Sequence, residues 1–412
     1  MSAKKILKPF AKKVRLWCRK KDFHSPLFVW VIANLYRFAL FLFGKSKKRF
    51  DSALKVMEDY LAEEELASRK TVRKIYNDIL FSRFIYGTVT REYFSFNFRF
   101  LSHEARKTYL TRNNKYPYYR KFNNPNYVGY LNKKTETYAK FKEFYGREVL
   151  CIYDENDYDK FVDFVGRHQR FIYKPAEDYG GHGVKIYNSA KYSSLKDLFD
   201  IILFDGGCVV EELIVQADPI ASIHPSSVNT MRVVAFLSPS GETKIQWCFL
   251  RMGMGGSHTD NMSSGGLAII VDPKTGIAYL PGRDWLGAEH LFHPDTGVKL
   301  IGFQIPEWDK LIELVNKLSH VIPEIRLVGW DLAYTNKGWI FVEGNAKPQC
   351  VSAQLTTFNG KLYLYDNMEQ EYDAYCDFES GLIDKEELER KLSLIKKSGN
   401  NDVEGEKNDD QQ

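Results

Sequence analysis

Val328-Gly329-Trp330-Asp331-Leu332-Ala333-Tyr334-Thr335-Asn336-Lys337-Gly338-Trp339-Ile340-Phe341-Val342-Glu343-Gly344-Asn345 is the stretch whose reading decides the fold. Two apolar, aromatic-rich runs flank Asn336-Lys337-Gly338, a turn signal in which glycine can take a positive φ, so the stretch predicts a β-hairpin. With a three-residue loop over 336–338, Asp331 and Glu343 each stand five positions from the loop and face one another. Asn345 follows Glu343 by two, which puts it on the same face of an extended chain. Carboxylates so placed among apolar neighbours repel unless a cation neutralises them, and Mg²⁺ prefers such oxygens together with phosphate oxygens. A polar strand face turned to water is the alternative reading of the same three residues.

Working outward, 412 residues at 44% hydrophobic can bury a large core, which predicts a principal fold of two or three subdomains. The six cysteines, at 18, 151, 208, 248, 350 and 376, form no CxxC pair; this argues against a zinc site and for a reducing compartment. Charge is unevenly spread. Residues 1–49 hold fourteen Lys or Arg against Asp22 alone, a net +13, and subtracting that from the chain's +5 leaves −8 for the rest. A basic head on an acidic body suggests that the head meets an anionic surface, and the body does not read as a nucleic-acid binder.

Leu27 to Phe43 is almost wholly apolar and aromatic, is interrupted by Asn34 and Arg37, and is closed by Lys45, Lys47, Lys48 and Arg49. It is short for a membrane span, and no small-residue cleavage site follows it. Either it is an interfacial helix on an acidic leaflet or it packs on the body. The first reading predicts a cytoplasmic protein held at the inner face of the plasma membrane.

Residues 51–80 predict a charged helix with Leu54, Met57, Leu61, Leu66 and Val72 buried, and 92–150 are rich in Tyr, Phe and Asn and close on a short helix at 135–144. Helices at 157–168 and 193–204 with strands at 171–174, 184–187 and 208–212 predict a small α/β subdomain. Strands at 228–238, 243–252, 267–272 and 277–280, a helix at 307–321 and the hairpin predict a mostly antiparallel part. A helix at 384–397 leads to the tail 399–412, with five acids against Lys407, which composition assigns to disorder. The expected organisation is a basic segment 1–50, a helical and aromatic region 51–130, a small subdomain 131–212, a large one 213–380, and a C-terminal helix with an acidic tail 381–412.

Lys174 ends one strand, and Gly180-Gly181-His182-Gly183 follows before the next. A glycine-rich loop between two strands is neither a Walker loop nor a Rossmann fingerprint, which both need a helix N-terminus. Its backbone N–H groups can fold over a triphosphate with the Lys174 ammonium on the phosphates; an ordinary turn and a solvated lysine are the plain alternative. Val209-Val210-Glu211-Glu212-Leu213-Ile214 is either a hinge that seats adenine between apolar side chains or a strand end.

This order of parts resembles the ATP-grasp superfamily. The strand Ser227-Val228-Asn229-Thr230-Met231-Arg232 and the loop Asp260-Asn261…Gly265-Gly266 look like the sugar-transfer-associated ATP-grasp family, over about residues 130 to 360. The resemblance implies an α+β, ATP-grasp fold: two α+β subdomains gripping ATP with Mg²⁺, here preceded by a helical extension. It implies Lys174 on the α- and β-phosphates, with Gly180, Gly181 and Gly183 over the triphosphate. It implies Glu212, Leu213 and Ile214 at the adenine, with Glu211 beside them among the nucleotide-binding residues, Gln216 or Asp218 at the ribose, and Asp331, Glu343 and Asn345 on the metal. An earlier phosphate lysine is implied where Asn132-Lys133-Lys134 stands in place of the usual Asp-Lys, and Lys133 is taken for it with its neighbour as the alternative.

Arg232 and Arg251 lie on adjacent expected strands, and their forked guanidinium groups suit a γ-phosphate or an acyl phosphate; a structural salt bridge is the other reading. His182 and His224 are acceptor-side candidates. The glycine-rich loop 253–266 is long enough to close over substrate. The function implied is an ATP-dependent carboxylate–amine ligase acting through an acyl phosphate, with amino or uronic sugars of surface polysaccharide as substrates. A kinase acting on a hydroxyl, or a membrane-associated nucleotide-binding protein without turnover, are the alternatives.

Overall fold

The computed structural model describes residues 25–176, 183–204 and 206–409. The basic segment 1–24 and the centre of the glycine loop, 177–182, lie outside the described residues. Two compact units emerge: residues 1–118 with 286–288 and 350–412, and residues 119–285 with 289–349. Residues 350–379, which the sequence reading kept with the hairpin, belong to the first unit.

The first unit is helical. Helix α1 (Pro26–Leu42) is started by Ser25, whose Oγ accepts the Phe28 N–H at 3.3 Å, and by proline at its first position. It buries Ile32, Ala33 and Leu40. The expected helix 51–80 is in fact three: α2 (Ser46–Glu58), the short Glu63–Ala67 and α3 (Arg69–Ile85). The break has a local cause. Ser68 is extended and accepts the Thr71 N–H at 3.3 Å, which starts a new helix rather than continuing the old one. Arg106, almost fully buried, donates to both Asp78 oxygens at 2.7 and 2.9 Å and ties α3 to the aromatic segment beyond it. The chain ends in helices Val351–Thr357, Leu362–Glu379 and Lys385–Asp409; the last runs through most of the tail that composition assigns to disorder.

The second unit holds both sheets. In the smaller, β1 (Val149–Ile152), β2 (Arg170–Pro175), β3 (Lys185–Asn188) and β4 (Cys208–Glu212) pair antiparallel in the order β1-β4-β2-β3. Helices α4 (Lys134–Phe141), α5 (Tyr158–Arg167) and α6 (Leu195–Leu203) accompany it; Phe161, Phe164, Phe171, Leu198 and Phe199 share its core. The sequence reading missed β1, four residues bounded by polar chain on both sides.

The larger sheet has seven antiparallel strands: β5 (Thr230–Leu237), β6 (Thr243–Met252), β7 (Leu267–Val271), β8 (Gly282–Asp284), β9 (Glu289–His290), β10 (Leu327–Thr335) and β11 (Gly338–Asn345), in the order β11-β10-β5-β6-β7-β8-β9. The expected strand 277–280 is reduced to isolated bridges from Ile277 and Ala278, because the Ala278 N–H turns to the Phe303 carbonyl. Strand alternation sorts the sheet. Met231, Val233, Leu250, Trp330 and Leu332 point into the core with Leu311, Val315 and Leu318 of helix α7 (Trp308–Val321). Thr230, Arg232, Arg251, Asp331 and Glu343 are left for the opposite face.

The hairpin turn is one residue shorter than the sequence suggests. Thr335 pairs with Gly338, whose φ is +92°, so Asn336 and Lys337 alone form the loop. Counting back from that register, Asp331 would face Val342. A bulge intervenes: Leu332 pairs with Phe341 and Asp331 with Glu343, so Val342 is the extra residue. The expected pairing therefore holds through a shorter loop and a compensating bulge.

Candidate active site

On the small sheet, Lys174 pairs with Val209 across β2 and β4, and its Nζ reaches diagonally to Glu211 Oε1 at 2.7 Å. Arg147 holds the other Glu211 oxygen through Nη2 at 2.7 Å and Nε at 3.0 Å. Its Nη1 donates to the Phe341 carbonyl at 2.7 Å, and its guanidinium lies 4.6 Å from the Tyr145 ring centre. Burial alone would raise the Glu211 carboxyl, but the charges of Arg147 and Lys174 hold it at about 2. Glu211, expected among the nucleotide-binding residues, is the buried counter-ion of two cations. Glu212, on the opposite face, accepts the Glu148 N–H at 3.0 Å.

The other expected nucleotide residues divide. The Lys134 N–H donates to the Ala176 carbonyl at 3.1 Å, which pins the Lys133-Lys134 turn beside the chain leaving β2; Lys133 itself is half-exposed and pairs with Glu136 at 3.5 Å. Gly183 has φ +77°, a conformation that favours glycine, whereas Gly180, Gly181 and His182 lie outside the described residues. Leu213 and Ile214 are half-buried. Gln216 is committed elsewhere: its Nε2 donates to the Ser227 carbonyl at 2.8 Å and its Oε1 accepts the Asn229 N–H at 2.6 Å. Asp218 is exposed and lines an open cavity of about 1100 Å³ at the hairpin tip, with Tyr334, Thr335 and Trp339. That cavity includes none of Lys174, Asp331, Glu343 and Asn345.

The large sheet assembles an ionic cluster on its polar face. Asp331 is paired across β10 and β5 with Arg232, which grips it through Nε and through Nη2 at 2.6 Å. Arg251 adds Nη2 to Asp331 Oδ2 at 2.9 Å and Nε to Asp260 Oδ2 at 3.4 Å. Thr230 sits between, accepting from Arg251 Nη2 at 2.6 Å and donating its hydroxyl to Asp260. Both arginines thus make the salt-bridge arrangement that was the second reading of the sequence. Burial would raise Asp331, but Arg232 and Arg251 hold it at about 2. Burial likewise opposes the Arg251 charge, yet Asp260 and Asp331 keep that guanidinium above its ordinary value.

Glu343 completes the cluster, 4.0 Å from Arg232 Nη2. Desolvation against the sheet and then the Asp331 charge push its carboxyl up, to about 7, although 56% of the side chain is open to water. The balance of charges gives the reason: three carboxylates face two guanidinium groups, so one more proton or cation is required. Asp331 is 1% exposed, and both its carboxylate oxygens are engaged by Arg232 and Arg251. Among the described residues no group of three or more His, Cys, Asp or Glu is arranged to hold a metal. Glu343 and Asn345, two residues apart on β11, are the oxygen donors that solvent reaches, and Mg²⁺ commonly takes one or two protein oxygens with phosphate supplying others. The residues present fit such an ion.

His224 lies at the root of the 253–266 loop rather than in the cluster. Its Nδ1 pairs with Ser227 Oγ at 2.9 Å, and its ring centre is 5.4 Å from that of His293. Burial and then His293 lower its pKa. Arg147 and Thr230 escaped the sequence reading. For Thr230 the alternation with Arg232 was an available signal; for Arg147 there was none.

The sequence pattern of the sugar-transfer associated ATP-grasp family matches residues 111–370, and the chain belongs to that family. Its α+β architecture is an ATP-grasp fold with N-terminal helices. No curated protein matches. Solved structures similar in fold include phosphoribosylamine–glycine ligase from Thermotoga maritima (11% identity, TM-score 0.40, 60% of this chain and 56% of that one). D-alanyl-alanine synthetase A from Vibrio cholerae is another (12%, 0.37, 58% and 65%). N5-carboxyaminoimidazole synthetase from Staphylococcus aureus, complexed with ADP, is a third (14%, 0.35, 53% and 45%). The chain thus spans less than two thirds of each.

Proposed function

We propose that this protein is an ATP-dependent ligase that joins a carboxylate to an amine through an acyl phosphate. The observation that carries the reading is one sheet face on which Glu343 and Asn345, reached by solvent, stand beside the clamped Asp331–Arg232–Arg251 cluster. A substrate carboxylate oxygen attacks the γ-phosphorus of ATP, the bond from that phosphorus to the β–γ bridging oxygen breaks, and ADP leaves. The amine nitrogen then adds to the acyl carbon, the bond to the phosphate oxygen breaks, and phosphate departs while the ammonium proton passes to solvent. The chain's part is position and charge. Lys174 would sit on the phosphates, with Gly183 beside them, and Leu213 and Ile214 would flank the adenine. Glu343 and Asn345 would hold Mg²⁺, which neutralises phosphate charge when bound. Arg232 and Arg251 clamp Asp331 beside those donors, and the one carboxylate they leave unbalanced on that face would be neutralised by the ion. The family's association with sugar transfer favours amino or uronic sugars as substrates.

The test is release of ADP and phosphate across amino acids, amino sugars and uronic acids, with Glu343→Gln as the blank. Amine-dependent release that the blank lacks supports the ligase. Equal release from the blank, or a stable phosphorylated hydroxyl product, overturns it.

A further inference from the structure

Helix α1 packs one side on α3 and leaves the other bare. Leu27, Trp30, Leu35, Phe38, Phe41 and Leu42 recur at helical spacing, and each is more than half exposed. An apolar stripe of this length on a soluble surface calls for a partner. Beside it lies a groove of about 1290 Å³, and Trp30 belongs to both. The first turns of α3 line the groove with Arg69, Lys70, Arg73 and Lys74, all exposed, and none of the four has an ion pair among the described residues. Glu64 and Glu65 also border it, with Glu65 already paired to Arg99. At the far end of the stripe, Lys45, Lys47 and Lys48 are exposed as well.

We propose that this face docks on an anionic lipid leaflet, with the α1 stripe in the acyl boundary and lipid phosphates in the groove lined by Arg69, Lys70, Arg73 and Lys74. Charge decides among the occupants. Residues 1–24 carry nine Lys or Arg and one Asp, a charge of the same sign as the cationic flanks of the stripe, whereas an occupant should carry the opposite sign. A second copy seated face to face would bring the same cations against each other. An anionic leaflet offers apolar depth under the stripe and phosphate at its rims. Among the described residues no helix is long and apolar enough to cross a membrane. The inference rests on the first unit alone and is independent of the ligase reading.

The full chain is sedimented with vesicles of phosphatidylcholine alone and with vesicles that carry roughly one third phosphatidylglycerol, which gives them a negative surface potential. It is expected to pellet with the anionic vesicles, to bind the neutral ones at least tenfold more weakly, and to lose binding in high salt, roughly as charge screening dictates. Leu35→Glu with Phe38→Glu, and separately Lys70→Glu with Arg73→Glu, are each expected to weaken binding by tenfold or more, on the order of several charge contacts. All four positions are exposed, so unchanged melting curves verify that the variants fold. Failure of the intact chain to pellet with anionic vesicles overturns the proposal, as does unaltered binding by either variant. A dimer that the Leu35→Glu, Phe38→Glu change dissociates would overturn it in favour of a second copy.

Discussion

Glu343 faces Asp331 because Val342 has no partner across the hairpin. Side chains alternate along a strand, so without that extra residue Val342 would take the place opposite Asp331 and Glu343 would turn toward the core face. The bulge therefore puts a third carboxyl beside a pair of arginines that can neutralise only two.

The consequence is a pH dependence with a definite sign. The Glu343 carboxyl is raised in the folded protein, to about 7, from the ordinary value near 4.5. A raised acid stabilises the fold below its unfolded pKa, and that contribution is lost as pH climbs through the folded one. The ligand-free protein is expected to melt at lower temperature as pH rises from about 5 to about 8. Mg²⁺ should offset the loss, since a cation replaces the proton. Melting followed across this range checks it: Glu343→Gln should flatten the slope, and an unchanged slope would assign it to another group.

Arg147 is expected to set the charge that Lys174 presents. Glu211 alone would cancel Lys174; with Arg147 the trio keeps a net positive charge. Arg147→Met should weaken nucleotide binding about tenfold, equivalent to about 1.4 kcal/mol for one charge-assisted contact. The double change Arg147→Met with Glu211→Gln should recover much of that affinity, because it removes the anion that Arg147 balances. Calorimetric titration of ATP against both proteins decides the point, and a double variant no better than the single one would make Arg147 purely structural.

How much of this could be read from the chain follows from what each signal depends on. The Asp331, Glu343 and Asn345 face was legible because an acid in one apolar strand, facing an acid and an amide spaced by two in the next, stands out from its neighbours. The loop length and the bulge were not, since backbone register leaves no mark on composition; the two deviations cancelled. Glu211 and Glu212 are consecutive in a strand and must face opposite ways, so strand alternation alone separates the buried Glu211 from Glu212. Arg147 stands alone between Tyr145-Gly146 and Glu148 with no period or motif, and only its contacts reveal it. The core of the large sheet was legible almost strand by strand, because its apolar runs are long and bounded by turns.

Asp331 and Glu343 are expected to fail differently. Asp331→Asn leaves two buried guanidinium groups with one carboxylate fewer, and breaking a buried pair costs about 3–5 kcal/mol. That variant should be poorly folded or melt well below the parent. Glu343→Gln removes an excess negative charge from a solvent-reached position, so the fold should survive while Mg²⁺-dependent nucleotide affinity falls. Melting temperature and Mg²⁺-dependent ATP binding, measured on both proteins, separate the roles. A stable Asp331→Asn protein that has lost only Mg²⁺-dependent binding would make Asp331 a direct metal ligand.

Gly253 should control the glycine-rich loop that follows it. Its N–H donates to Ser227 Oγ at 3.2 Å, and its carbonyl pairs with His293 Nε2 at 2.8 Å. Asp295 takes the Gly255 N–H at 2.7 Å, and at the far side Asp260 is held by Thr230 and Arg251. A Cβ on Gly253 would lie 2.6 Å from the His224 ring and 2.7 Å from Ser227 Oγ, closer than packing permits. Gly253→Ala is therefore expected to free the near anchor while the Asp260 anchor and the Arg232–Asp331 pair stay formed. Limited proteolysis should cut the variant faster within residues 254–259, with ATP affinity unchanged within about twofold, as expected for a change remote from the nucleotide contacts. If the loop closes over the acceptor, KM for the acceptor should rise while that for ATP does not. An unaltered cleavage rate would mean that Asp260 alone holds the loop in place.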